Sequence, residues 1–439
     1  MATHPPVHLR YQLPYLVSTG AVPNYDPNIK VSQASLTEMS DRWPAVGGLM
    51  QSGFIYKKMP EAGARPDIGP LPRWTVRHLL SQDPRAQRVS VGTSEQAGSW
   101  PIHYRDASTD LPLSTQTYPG ANILGSDPFF PACAGNCSTP FEPDVAHQPS
   151  LSFVPFLLTG DYFHLEELQY WANYNSFYWG DHGGGLGLVI NDQLRAQAWG
   201  LRTIAQAAWA TPDSHPLKRY FEDKLANNLE AYRKRYVDAE PNQFGHATPT
   251  EGHDGALSFW MDDFFTWALG YIAGLGFQRA EAIHDFKSRF VVGRFTEADY
   301  CWIMASAYWA RMTDADTGQS LYATWGEMYR ALVADDPESI RPEWLADAIR
   351  TDSAGFLAAD CGSETMGEIM GFPARTMVGY PSNPEAYTMN ISPALASAVD
   401  RDLPGAEAAW RVYQGRSNDY SPSLHDEPHW AIVPIAAGD

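Results

Sequence analysis

Residues 257–277, LSFWMDDFFTWALGYIAGLGF, set two adjacent aspartates, Asp262 and Asp263, inside a helix-length run that is otherwise apolar on almost every side. A helix that is apolar all round is an interior helix. Neighbours along it point about 100° apart, so no single polar stripe takes both carboxylates and at least one faces the interior or a cleft. A buried carboxylate needs a cation, donors or a raised pKa. Two readings follow. Either both acids sit near the first turn, favoured by the helix dipole and paired with an arginine or backbone donors, or one is a general acid or base at the mouth of a cleft.

Outward from this run the chain reads as successive amphipathic segments with short breaks. Asp161 caps a helix running to about Tyr178, and Asn191 caps the next, DQLRAQAWGLRTIAQAAWA. TPDSHP then separates it from LKRYFEDKLANNLEAYRKRY. Ser258 opens the quoted run, and a further helix covers about 278–290. Thr296 with Asp299 imitates a capping box before YCWIMASAYWARM, and another helix follows at about 320–334. Weaker pairs fit about 338–350 with 364–371, and about 384–401 with 404–414. The expectation is about a dozen helices in about six hairpins, without alternating strands. Residues 1–147 are rich in proline, glycine and polar turns, with one helical signal at Arg73–Gln82. They read as an irregular accessory region packed on a helical domain at 148–439.

This hairpin pattern resembles the (α/α) toroid, the six-hairpin barrel of many glycoside hydrolases and several polysaccharide lyases. The resemblance spans about Ser150–Gln414 and rests on helix count, pairing and aromatic content. It implies a mainly α fold whose ligand cleft is built from loops at one end of the barrel. A helical solenoid or an ordinary bundle would give hairpins too, although no internal repeat is present. WMDD is similar to the Trp-x-Asp pattern on an inner helix of unsaturated glucuronyl hydrolases, which implies acid/base chemistry at Asp262 or Asp263.

Composition narrows the function classes. The 439 residues carry a formal net charge of −20, which disfavours nucleic acid and anionic membrane surfaces as partners. No apolar run reaches the length of a membrane span, so the expectation is a soluble protein. The N-terminus lacks a secretion-signal pattern, which leaves open a cytoplasmic protein, a mature exported form or a segment of a longer chain. Aromatics make up 13%, with 15 Trp and 22 Tyr, a supply of rings for stacking on sugars as well as on one another. Of four cysteines, Cys133 and Cys137 form either a small-loop disulfide or two thiols, Cys301 and Cys361 stand alone, and a metal site is not expected. No cofactor is expected either: the glycines of DHGGGLGLV do not form a phosphate loop.

Glycoside hydrolysis needs two carboxyl groups across the scissile bond. The candidates are Asp262 and Asp263 with Glu251, which lies in HATPTEGHDG ahead of the helix beside His253. Arg195, Trp199 and Arg202 fall at spacings of four and three on one helix face, two cations flanking an aromatic plate. In a cleft they would stack a sugar ring and clamp its carboxylate; otherwise the arginines neutralise buried acids of a neighbouring helix. His147 precedes a helix in DVAHQPSLSF, and Asn173, Asn175 and Tyr178 crowd near a glycine-rich break. Toroid lyases neutralise a uronate with Asn, His or Arg and use Tyr or His as base and acid. Trp260 and Tyr380 complete the expected carbohydrate-binding set. The leading expectation is a glycan-cleaving enzyme acting on acidic sugars by carboxylate hydrolysis. Elimination by a polysaccharide lyase is the runner-up, and a non-catalytic glycan-binding or structural module is the reading from another class.

Overall fold

The computed structural model describes residues 10–61, 65–124, 129–130, 135, 137–178, 185–189, 193–239, 242–248, 255–336, 339–383 and 387–435. Among them are seventeen α-helices and one two-stranded antiparallel pair, Ala256–Leu257 with Ala310–Arg311. The class is mainly α. The first four helices are α1 (Leu13–Ser18), α2 (Gln33–Val46), α3 (Arg73–Ser81) and α4 (Pro84–Glu95). The next six are α5 (Phe153–Thr159), α6 (Tyr162–Phe177), α7 (Leu194–Ala210), α8 (Lys218–Arg233), α9 (Phe259–Gly274) and α10 (Glu281–Thr296). The last seven are α11 (Trp325–Arg330), α12 (Glu343–Thr351), α13 (Ser353–Ala358), α14 (Glu364–Met370), α15 (Tyr387–Asp400), α16 (Ala406–Gln414) and α17 (Ser421–Leu424).

Four helices form the central layer. α6 packs on α7, α7 on α9 and α9 on α15, while α8, α10 and α16 pair with α7, α9 and α15 from outside. Alanines on α7 let it approach α9 closely, where Trp199 lies 4.9 Å from Phe264 and 6.2 Å from Trp267 between ring centroids. Gly270 does the same between α9 and α15: a Cβ there would stand 2.7 Å from Ser397 Cβ and 2.8 Å from His284 Nε2. α9 starts after Ser258, whose carbonyl accepts from the Met261 and Asp262 N–H groups, and it stops before Gly276 at φ +95°.

The N-termini of α7, α9 and α15 lie together, since Arg195 stands over Trp260 and Trp260 lies beside Tyr387. These three helices therefore run the same way, and residues from their first turns share one face of the molecule. At the opposite end, Gly274 of α9 and Asp400 of α15 line a common cavity with Gly20 and Val22.

Several expectations change. Residues 1–147 are not irregular throughout: α2 and α4 have 14 and 12 residues, capped by Ser32 and Asp83. With α3 they carry an apolar cluster that includes Trp74 and Trp100 and continues onto α6 through Tyr170, Trp171 and Tyr174. The segment after Thr296 is not a long helix. Thr296 Oγ1 donates within α10 to the Val292 carbonyl, and Asp299 accepts from Gly326 N, so neither caps YCWIMASAYWARM. That segment forms a short 3-10 turn at Trp302–Met304 and then the second strand. Cys301 and Cys361 do not stand alone but form a disulfide across 60 residues. Cys137 is disulfide-bonded as well, and Cys133 lies outside the described residues.

Candidate active site

The two aspartates that organise the sequence sit in the interior. Asp262 pairs with Lys287 Nζ and also accepts from Ala247 N at 2.9 Å. Asp263 pairs with Arg294, whose guanidinium also donates to the Ala305 and Phe290 carbonyls. All four side chains have at most 1% exposure. Burial pushes Asp263 up to about 6 against the pull of Arg294, and it pushes Lys287 down. Lys287 and Arg294 come from α10, the outer partner of α9, so the carboxylates link the hairpin rather than a cleft. Neither is placed to reach a substrate.

The expected cation pair also divides. Arg202 is fully buried, its guanidinium donating to the Gly69 and Gln148 carbonyls at 2.8 Å, and burial lowers it to about 9. Trp199 is core. Neither the ligand clamp nor neutralisation of Asp262 or Asp263 describes Arg202; backbone carbonyls take its two terminal nitrogens, and Nε has no partner among the described residues. Asn173 is likewise internal, donating to Leu113 O and accepting from the Tyr220 hydroxyl at 2.6 Å. Asn175 donates to Trp171 O at 2.8 Å and to Gln148. Glu251 and His253 lie outside the described residues.

What remains converges. Arg195, in the first turn of α7, is half-buried and holds its guanidinium 5.7 Å from the centroid of Trp260. Trp260 lies 5.7 Å from Tyr387 and 6.4 Å from Tyr308, nearly parallel to the latter at 18°. Tyr387 in turn stands 5.2 Å from Tyr308 and 5.7 Å from Tyr380, and Arg341 lies over Tyr308 at 5.3 Å. The result is an aromatic strip with an arginine at each end. At its Tyr308–Arg341 end opens a cavity of about 710 Å³ whose wall includes Tyr308, Arg341, Trp344, Tyr380 and Tyr387. Tyr380 holds φ +57°, a left-handed conformation that costs a non-glycine residue energy and turns the chain at the cavity edge.

Beside the Arg195 end stands a second group. His147 Nδ1 is hydrogen-bonded to the Asp144 carboxylate, and Nε2 has no partner among the described residues. The His147 side chain is 5% exposed and that of Asp144 13%. Burial pulls His147 below the ordinary imidazole range; the bond to Asp144 opposes it and Arg195 reinforces it. The ring is therefore neutral near pH 7, the state a general base requires. Asp144 also acts on Tyr174, whose ring lies 5.4 Å from that of Tyr178 at the end of α6.

Sequence reasoning named Arg195, Trp260, Tyr380, His147 and Tyr178 but missed Asp144, Tyr308, Arg341, Trp344 and Tyr387. Asp144 was visible as the i−3 neighbour of His147. Tyr308 and Arg341 had no local signal, because only tertiary packing brings them to the first turns of α9 and α15. Among the described residues no cluster of His, Cys, Asp or Glu is arranged to hold a metal ion, and no described helix is long and apolar enough to cross a membrane. No family model, curated protein or solved structure matches the chain, so the reading of this site rests on its side chains alone.

Proposed function

We propose that the protein processes an acidic glycan by β-elimination at a uronate held between Arg195 and His147. The observation that carries the reading is the Asp144–His147 pair next to a cation-flanked aromatic strip. Rings stack on sugar faces, and an arginine fork takes a carboxylate through two parallel hydrogen bonds. Neutralising that carboxylate acidifies the adjacent C5–H. His147 Nε2 then takes the C5 proton, the C4–O bond breaks as the C4–C5 double bond forms, and the leaving oxygen takes a proton from Tyr178. Asp144 fixes the tautomer that leaves Nε2 as the acceptor, the orienting role a carboxylate plays toward a catalytic imidazole.

Hydrolysis by Asp262 and Asp263 has less support, because both are neutralised by α10 cations in the interior. The arc of co-oriented helices α7, α9 and α15 with outer partners α8, α10 and α16 suits closure into an (α/α) toroid, the arrangement in which such a cleft forms at one end.

The test is to incubate the protein with a panel of uronate-containing polysaccharides and follow the ultraviolet absorbance of unsaturated uronates. Growth of that signal, abolished in His147→Ala, supports the reading. Absence of both signal and binding across the panel, or new reducing ends without it, counts against it.

A further inference from the structure

The two ends of the aromatic strip differ in charge. At one end Arg195 stands over Trp260, next to His147, which burial holds neutral, and the one acid described there, Asp144, is taken up by the His147 Nδ1 bond. At the other, among the described residues the cavity wall carries Glu343 and Asp347 against a single cation, Arg341. Arg341 is already engaged, with Nη1 2.8 Å from Glu343 Oε1 and its guanidinium over the Tyr308 ring at 5.3 Å. A sugar carboxylate arriving there meets two acids and a shared arginine, and like charges brought together in a site reject a ligand. The same wall offers rings: Trp344 is 55% exposed, Tyr380 is 38% exposed, and Tyr308 and Tyr387 lie behind them. Rings with acids at their rim suit an uncharged pyranose, whose faces stack and whose hydroxyls donate to carboxylates. Tyr387 touches both ends, 5.7 Å from Trp260 and 5.2 Å from Tyr308, so the two environments lie about one sugar ring apart.

Resting on the elimination reading above, we infer that the cleft selects a heteropolymer: a uronate at the Arg195–Trp260 end next to an uncharged sugar at the Tyr308–Trp344–Tyr380 end. A homopolymer of uronates would put a carboxylate against Glu343 and Asp347.

The test compares initial elimination rates and binding for two probe classes on the intact protein. One class is polygalacturonate and alginate, with an acid on every residue; the other is hyaluronan and chondroitin, in which an acidic sugar alternates with an uncharged N-acetylhexosamine unit. The alternating polymers should be preferred by about ten-fold or more in kcat/KM at low salt. The doubly substituted Glu343→Gln, Asp347→Asn protein, altered only at exposed positions, should narrow that ratio by improving the homopolymers. Preference of the wild type for a homopolymer, or a ratio unmoved by the double substitution, overturns the inference while leaving elimination standing. Failure of both classes to bind or react overturns the inference together with the reading beneath it.

Discussion

Asp144 and His147 are joined through Nδ1 of the imidazole, which leaves Nε2 buried and without a partner among the described residues, the ring nitrogen to which the elimination reading assigns the base. His147→Ala should lower the elimination rate by about 10²–10⁴-fold, the usual contribution of a positioned general base. Asp144→Asn should lower it less and change the pH profile in a defined direction. The bond to Asp144 raises the His147 pKa, so its loss lowers that pKa further and moves the acid limb of the rate profile to lower pH. Rate profiles of both variants check this; an unmoved acid limb in Asp144→Asn would show that the pair does not govern the base.

In the elimination reading Arg195 holds a carboxylate by a bidentate contact while its guanidinium rests on Trp260 and its Nε donates to Gln193 Oε1 at 2.9 Å. Arg195→Lys keeps the charge but loses the fork and the stacking plane. It should weaken uronate binding by about ten-fold or more, a cost on the scale of one charge-assisted hydrogen bond. Calorimetric titration with an unreactive uronate oligosaccharide measures it, and equal affinity of the two proteins would exclude the assigned role.

Asp263 and Arg294 make the opposite case, a charge pair with no exposure. Asp263→Asn leaves Arg294 buried and unpaired and should destabilise the fold by about 3–5 kcal/mol. Replacing both partners, as in Asp263→Leu with Arg294→Met, should recover much of that loss. Denaturant unfolding reads both. A catalytic aspartate would instead show lost activity with unchanged stability.

His246, His284 and His429 are buried and neutral, held down to about 4, about 3 and about 3 by burial. The unfolded chain binds their protons near pH 6.5 whereas the folded chain does not, so their contribution is full above that pH and falls as the pH drops. Each adds up to about 1.4 kcal/mol per pH unit over the interval between its two values. Melting temperature should decline from about pH 6.5 downward, and His284→Gln should flatten the slope. A slope unchanged in that variant would remove His284 from the explanation.

The Cys301–Cys361 disulfide closes 60 residues, a segment that includes Tyr308, Arg341 and Trp344. Loop-closure entropy assigns it about 4 kcal/mol. Removing it in a Cys301→Ala, Cys361→Ala protein, which leaves the Cys137 bridge intact, should lower the melting temperature and weaken glycan binding at the Tyr308 end before secondary structure is lost. Circular dichroism together with binding on that protein separates the two effects.

Much of the helical frame was legible because its signals are local. Asp161 accepts from Phe163 N at the start of α6, and the apolar run 259–274 is the interior helix its pattern predicts. The odd acids of that run pointed to burial correctly, but their partners, Lys287 and Arg294, are set by helix pairing that periodicity does not encode. Arg195 and Arg202 looked equivalent at a spacing of seven, yet the first opens α7 over Trp260 and the second lies two turns deeper among backbone carbonyls. The strip itself draws on segments far apart in sequence, Trp260, Tyr308, Arg341 and Tyr387, and only the shared end of α7, α9 and α15 assembles it.

The central claim is the bond-breaking step at the Arg195–His147 end. Degradation of an alternating uronate polymer in heavy-oxygen water, followed by mass spectrometry of the products, tests it most directly. Elimination predicts fragments that carry no solvent oxygen and end in an unsaturated uronate. One heavy oxygen per cleaved bond would mean hydrolysis and would contradict the account.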